Sequence, residues 1–131
     1  MTKRVYTYTY SEEYDPPMPV MDVGVSLPKQ DAVEVTTTAL LDSGSDGTLI
    51  SIDLSESIGA KPVGPARVHG LWGGSQLANM YIVKLYIGPH QLYAIRVAGV
   101  ASNSECLIGR NVLNQLVVTL NGHASVVEIM E

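Results

Sequence analysis

The chain has 131 residues, 46% of them hydrophobic and 16% charged, with a net charge of −5 at pH 7. That length suits a single domain with one core, and so large an apolar share excludes a disordered chain. The mild acidity, without a basic cluster, excludes nucleic acid as the main partner, because phosphate binding needs a Lys/Arg footprint.

Met1-Thr2-Lys3-Arg4 lacks the apolar core of a signal peptide, and no run is long enough to span a bilayer. The expectation is therefore a cytoplasmic chain with no membrane partner. Val5 to Tyr10 alternates, with Tyr6, Tyr8 and Tyr10 on one face, and predicts a strand at an edge or interface. Glu12 to Pro19 is polar and then proline-rich, a connector. Val20 to Leu27 and Ala32 to Leu41 flank the turn Pro28-Lys29-Gln30-Asp31 and predict a hairpin. Thr48 to Ile52 is a short apolar strand. Asp53 to Gly59 predicts a short helix, with Asp53 as capping acid and Gly59 as terminator.

Pro62 to Pro65 reads as a loop. Ala66 to His69 and Ser75 to Ile87 predict a second hairpin, its tip rich in glycine. Ile87 to Leu92 holds another tight turn, and Gly99 to Glu105 reads as a polar loop. Cys106-Leu107-Ile108 is an apolar strand that ends at Gly109. Cys106 stands alone, so no internal disulfide is possible, and its apolar neighbours suggest a buried thiol. With scattered His69, His90 and His123 it gives no metal-ligand spacing, so neither metal nor cofactor is expected. Asn111 to Leu116 predicts a short helix. Val117 to Leu120 and Ala124 to Ile129 flank Asn121-Gly122, a pair suited to a type I′ turn.

One stretch stands apart from this β pattern. Ala39-Leu40-Leu41 delivers Asp42 into Ser43-Gly44-Ser45-Asp46-Gly47, and Thr48-Leu49-Ile50 leaves again. An acid at the end of an apolar strand is costly unless its charge is used. By composition, Asp-(Ser/Thr)-Gly-(Ser/Thr/Ala) is expected in roughly one of a hundred chains of this size, which favours a function over accident. From these residues alone, a plain turn with Asp42 capping backbone N–H groups is the competing reading.

A second stretch, Leu107-Ile108-Gly109-Arg110-Asn111-Val112-Leu113-Asn114-Gln115-Leu116, followed by Thr119-Leu120-Asn121, closely resembles the C-terminal segment of retroviral aspartic proteases. The order of motifs is also similar: Asp-Ser-Gly early, a glycine-rich hairpin in the middle, Ile-Gly-Arg-Asn late. The resemblance to this retropepsin-like family covers about Val20 to Asn121. It implies a mostly β fold, a closed antiparallel barrel-like acid protease with one or two short helices, active as a homodimer on peptide or protein substrates. On this reading residues 1–131 form a single domain: residues 1–19 an N-terminal strand and connector, 20–121 the family-like core, and 122–131 a C-terminal strand extension.

The resemblance also assigns roles. Asp42 of each chain is catalytic, Ser43 hydrogen-bonds across the dimer, and Gly44 lets substrate backbone approach. Ser45 donates to the carboxylate, favouring its charged form and an acidic pH optimum. Asp46 and Arg110 form an ion pair beside the site. Substrate contacts fall to Gly44, Asp46, Gly47 and the flap Gly70-Leu71-Trp72-Gly73-Gly74. A sole Asp-Ser-Gly turn, with no second copy in the chain, means that a carboxylate pair needs two chains. The residues leave three classes open: an aspartic endopeptidase, a non-catalytic peptide-binding or dimerisation module on the same fold, or a monomeric cytoplasmic β-barrel structural protein with an accidental motif.

Overall fold

Alternating β-branched residues put most of the chain into strands. The computed structural model describes residues 2–69, 73–102 and 104–131. Its strands are β1 (Val5–Thr9), β2 (Val20–Ser26), β3 (Val35–Leu41), β4 (Thr48–Ser51), β5 (Gly64–His69), β6 (Ser75–Ile87), β7 (His90–Val100), β8 (Cys106–Ile108), β9 (Val118–Asn121) and β10 (Val126–Met130). Two short helices, α1 (Ile52–Ser57) and α2 (Arg110–Leu113), follow β4 and β8.

Six strands close into a barrel in the order β2-β3-β8-β4-β7-β6, and β6 returns to β2 through Gly24–Ser26 against Tyr86–Lys84. Closure removes both edges of the sheet, while β5 hangs outside, paired with β6 alone. The barrel is mostly antiparallel as expected, but β3–β8 and β4–β7 are parallel. Those two joins bring distant segments together. Leu41 lies opposite Ile108, so the chain leaves β3 and β8 side by side.

The core is filled from the inward positions of β2, β6 and β7 with Ile50, Ile108 and Val112, all buried. Strand β2 is buried on both faces apart from Asp22. Its outer face is covered by a second, three-stranded sheet, β1-β10-β9. There Tyr6, Tyr8 and Tyr10 pack toward the core while Thr7 and Thr9 face out. The alternation predicted this edge strand, and its partner is β10.

Lys84 is a buried cation that the pattern of β6 concealed, at 2% exposure. Its Nζ donates to the Gln30 carbonyl at 3.0 Å and lies 4.9 Å and 4.6 Å from the ring centres of Tyr86 and Tyr93. The ring faces offer the charge a partly compensating environment.

Local expectations fail in five places. Helix α1 is capped by Ser51, whose Oγ accepts from Leu54 N–H at 3.2 Å, and Asp53 sits in the first turn instead. Gly59 does end that helix, with φ +80°. Gly99 and Val100 belong to β7, held by pairing with Ile50 and Ser51, and Gly64–Pro65 already belong to β5. The Asn121-Gly122 turn is not type I′. Asn121 Oδ1 accepts from Ala124 N–H at 3.0 Å, Ser125 takes the left-handed φ of 56°, and four residues span the turn between Asn121 and Val126. Helix α2 is one turn long and continues as turns to Leu116 rather than as a helix from Asn111. We expect Ser51→Ala to lower stability by about 1 kcal/mol in urea unfolding, the usual cost of a lost N-cap.

Candidate active site

The parallel β3–β8 ladder extends one residue past its last pair, and this fixes Asp42. Its N–H donates to the Ile108 carbonyl at 3.0 Å. The chain then turns tightly, Ser45 N–H donating to the Asp42 carbonyl at 3.1 Å. Gly44 N–H donates to Asp42 Oδ1 at 2.9 Å, so the carboxylate is aimed by its own turn. A Cβ at position 44 would stand 3.0 Å from that oxygen, which gives Gly44 a local reason beyond substrate access. Asp42 is half-buried, while Ser43 and Gly44 are exposed.

The second motif is the platform under this turn. Gly109 presses on it: a Cβ there would lie 2.0 Å from the Gly47 carbonyl oxygen and 2.8 Å from that of Ser45. Real Cβ atoms do not approach backbone so closely, so the contact requires glycine. Arg110 N–H donates to the Ser45 carbonyl at 2.8 Å, and Asn111 N–H to the Asp46 carbonyl at 3.3 Å. Arg110 Nη1 donates to the Ser43 carbonyl at 2.7 Å. The two stretches that the sequence set apart are thus one hydrogen-bonded unit.

Two residues outside the expected set complete it. Thr48 is buried, donates through Oγ1 to Asn111 Oδ1 at 2.7 Å, and accepts from Gly109 N–H at 3.1 Å. Asn111 Nδ2 in turn donates to the Arg96 carbonyl at 3.1 Å. The sequence signal for Thr48 was a lone hydroxyl opening an apolar run. For Asn111 it was its place directly after Arg110.

Two expected contacts are different. Ser45 Oγ donates to the Gly47 carbonyl at 2.7 Å and not to the Asp42 carboxylate, so the argument from Ser45 to an acidic optimum loses its donor. Asp46 and Arg110 meet through backbone neighbours and form no ion pair, because the guanidinium is turned to Ser43. Ser43 contributes its carbonyl within the chain. Gly70, Leu71 and Trp72 lie outside the described residues. Gly73, beside them, is exposed with φ +92°.

Asp42, Gly44, Ser45, Asp46 and Gly47 form the floor of a cleft of about 900 Å³. Met80, Ala98 and Leu107 give it an apolar side, and Pro65 to His69 of β5 form the opposite border. A cleft with one aimed carboxylate, and with an apolar side among polar and basic residues, suits an extended chain.

A family model described as aspartyl protease matches residues 30–112, which include the Asp42 turn and Arg110. The chain belongs to the aspartyl protease family. Its fold is that of the retropepsins: it is similar to a retropepsin-like aspartic protease from Rickettsia conorii, with a TM-score of 0.64, 10% identity, and coverage of 99% of this chain and 94% of that one. It is also similar to EIAV protease complexed with the inhibitor HBY-793, at a TM-score of 0.57 and 16% identity over 82% of this chain and 93% of that one. Among curated proteins, none matches the sequence significantly.

Gly109→Ala is expected to destabilise the protein by roughly 3 kcal/mol or more, since backbone must move to admit the methyl group. Thr48→Val keeps the volume but strands Asn111 Oδ1 and Gly109 N–H. We expect a loss of about 2 kcal/mol. Chemical unfolding monitored by circular dichroism checks both.

Proposed function

We propose that the protein is an aspartic endopeptidase that works as a homodimer, with Asp42 of each chain forming the catalytic pair. The observation that carries this reading is the Asp42-Ser43-Gly44 turn, aimed by Gly44 N–H into the cleft and clamped from below by Gly109 and Arg110. The sequence holds a sole Asp-Ser-Gly turn, so in this reading one chain supplies one carboxylate of the acid–base pair.

The chemistry follows from two carboxylates within hydrogen-bond distance. They cannot both ionise readily and share one proton, as in the aspartic proteases that serve as the general example of the effect. The ionised member takes a proton from water as the water oxygen attacks the scissile carbonyl carbon. The protonated member donates to the carbonyl oxygen. Collapse of the tetrahedral intermediate breaks the C–N bond, and the amine leaves with a proton from the pair. The two titrations belong to the pair as a whole. In this reading the β5–β6 hairpin that borders the cleft serves as the flap, closing over an extended peptide and excluding water.

The terminal sheet supplies the dimer contact in this reading. Strand β10 is occupied on both sides, by β1 and β9, which leaves β9 with an unpaired edge. Val117 and Leu120 beside that edge are exposed by 59% and 55%. Strand β9 follows α2, whose Arg110 holds the Asp42 turn, so pairing of β9 with its copy across a two-fold axis would bring the two turns toward one another.

Asp42→Asn is expected to cut cleavage of a peptide library by about a thousandfold or more while leaving the dimer intact. Equal cleavage by the variant and the native protein would sink the enzyme reading; binding without cleavage by both would favour the non-catalytic module. Leu120→Asp is expected to shift sedimentation toward the monomer and to lower activity in proportion at low protein concentration.

A further inference from the structure

The chain holds 13 acids against 8 Lys and Arg, yet Arg67, Arg96 and Arg110 all border the Asp42 cleft, with His69, against only Asp42 and Asp46. Two of these cations are engaged. Arg110 Nη1 donates to the Ser43 carbonyl at 2.7 Å, and Arg67 Nη1 to Ser75 Oγ at 3.1 Å. Arg96 differs: it is exposed, and among the described residues its guanidinium has no protein partner.

Its backbone, by contrast, is fixed. The Arg96 carbonyl accepts from Asn111 Nδ2 at 3.1 Å, and its neighbour Val97 lies opposite Thr48 in the parallel β4–β7 ladder. Val97 is buried in the core, so the two-residue period of β7 turns Arg96 to the same face as Ala98, which lines the cleft. Arg96 therefore borders the cleft where the loop from Asp42 re-enters β4 at Thr48, beside Asn111, which also bonds the Asp46 carbonyl. Asp46 lines the same cleft, and it makes no ion pair with Arg96. A guanidinium without a protein partner, carried on a fixed backbone, is suited to a carboxylate, which it can grip with two parallel N–H donors.

We propose that Arg96 is a specificity-determining residue that selects peptide substrates carrying Asp or Glu at a distance from the scissile bond. This rests on the endopeptidase reading above. The acidic side chain then belongs to the residues flanking the apolar centre of the peptide, not to the two at the scissile bond. In a two-fold dimer the second Arg96 applies the same preference on the other side. The substrate class is then an extended peptide, apolar at its centre and acidic toward both ends.

The test compares peptides that are matched except for Glu or Gln at those outer positions. Native protein is expected to cleave the Glu peptide with a kcat/KM about fivefold higher at low salt, an effect that shrinks toward unity at 0.5 M salt, as roughly expected for a screened pair. Arg96→Gln is expected to bring the Glu/Gln ratio to about one and Arg96→Glu to invert it. Lys29→Gln, the same loss of charge in the exposed β2–β3 turn, keeps the native ratio. A ratio near one in native protein, or one unchanged by Arg96→Gln, overturns the proposal. Binding of non-cleavable reduced-amide versions of both peptides gives the same ratio without chemistry. Absence of all cleavage would therefore reject the endopeptidase reading, while the binding ratio still judges Arg96.

Discussion

The structure depends on one close approach of backbone to backbone. Gly109 lies so near the Gly47 and Ser45 carbonyls that even a methyl group is excluded. Because the two chains of atoms touch there, Arg110 and Asn111 come within hydrogen-bonding reach of the turn that carries Asp42. Hydrogen bonds from the first turn of α2 hold it in place of a covalent link. It is rigid because its outward carbonyls are occupied by donors from a segment more than sixty residues later. Each such bond is worth only about 1 kcal/mol, but together they replace the freedom of a loop with a single aimed conformation.

Barrel topology makes that approach possible. The parallel β3–β8 join sets Leu41 beside Ile108, so the residues that follow both strands emerge at one end of the barrel. The β4–β7 join then runs Thr48 and Val97 together, and places Arg96 at the same end. In an all-antiparallel barrel the chain ends of β3 and β8 would lie at opposite ends of their pair. The two parallel joins are therefore the part of the fold that builds the cleft.

The places where sequence reasoning failed share a physical cause. Ser45 and Arg110 were each expected to meet a carboxylate. Ser45 Oγ instead reaches the Gly47 carbonyl and Arg110 the Ser43 carbonyl, because a turn carbonyl outside the strand ladders needs a donor. Motif matching assigns the chemical type of a contact but not which of two acceptors wins. The cap of α1 was misread for a similar reason: Ser51 and Asp53 are both capping residues, and strand β4 ends where Ser51, not Asp53, meets the first turn. At Asn121 the side chain outcompeted the expected turn by accepting from Ala124 N–H.

The sequence by itself determined most of the strands, because alternation has a period that burial on one face enforces, and it set apart the two stretches that meet at the cleft. Asp42-Ser43-Gly44 was legible since an acid at the end of an apolar strand is costly without a task, and Ile108-Gly109-Arg110-Asn111 through its resemblance to a segment of the retroviral aspartic proteases. Only the tertiary structure decided that these stretches form one hydrogen-bonded unit, that Thr48 and Asn111 tie it to the barrel, and that Arg96 borders the same cleft. Those facts rest on pairing between segments far apart in the chain. Local sequence cannot encode such pairing, because the partner of a backbone donor is set by which strands the closed barrel brings side by side.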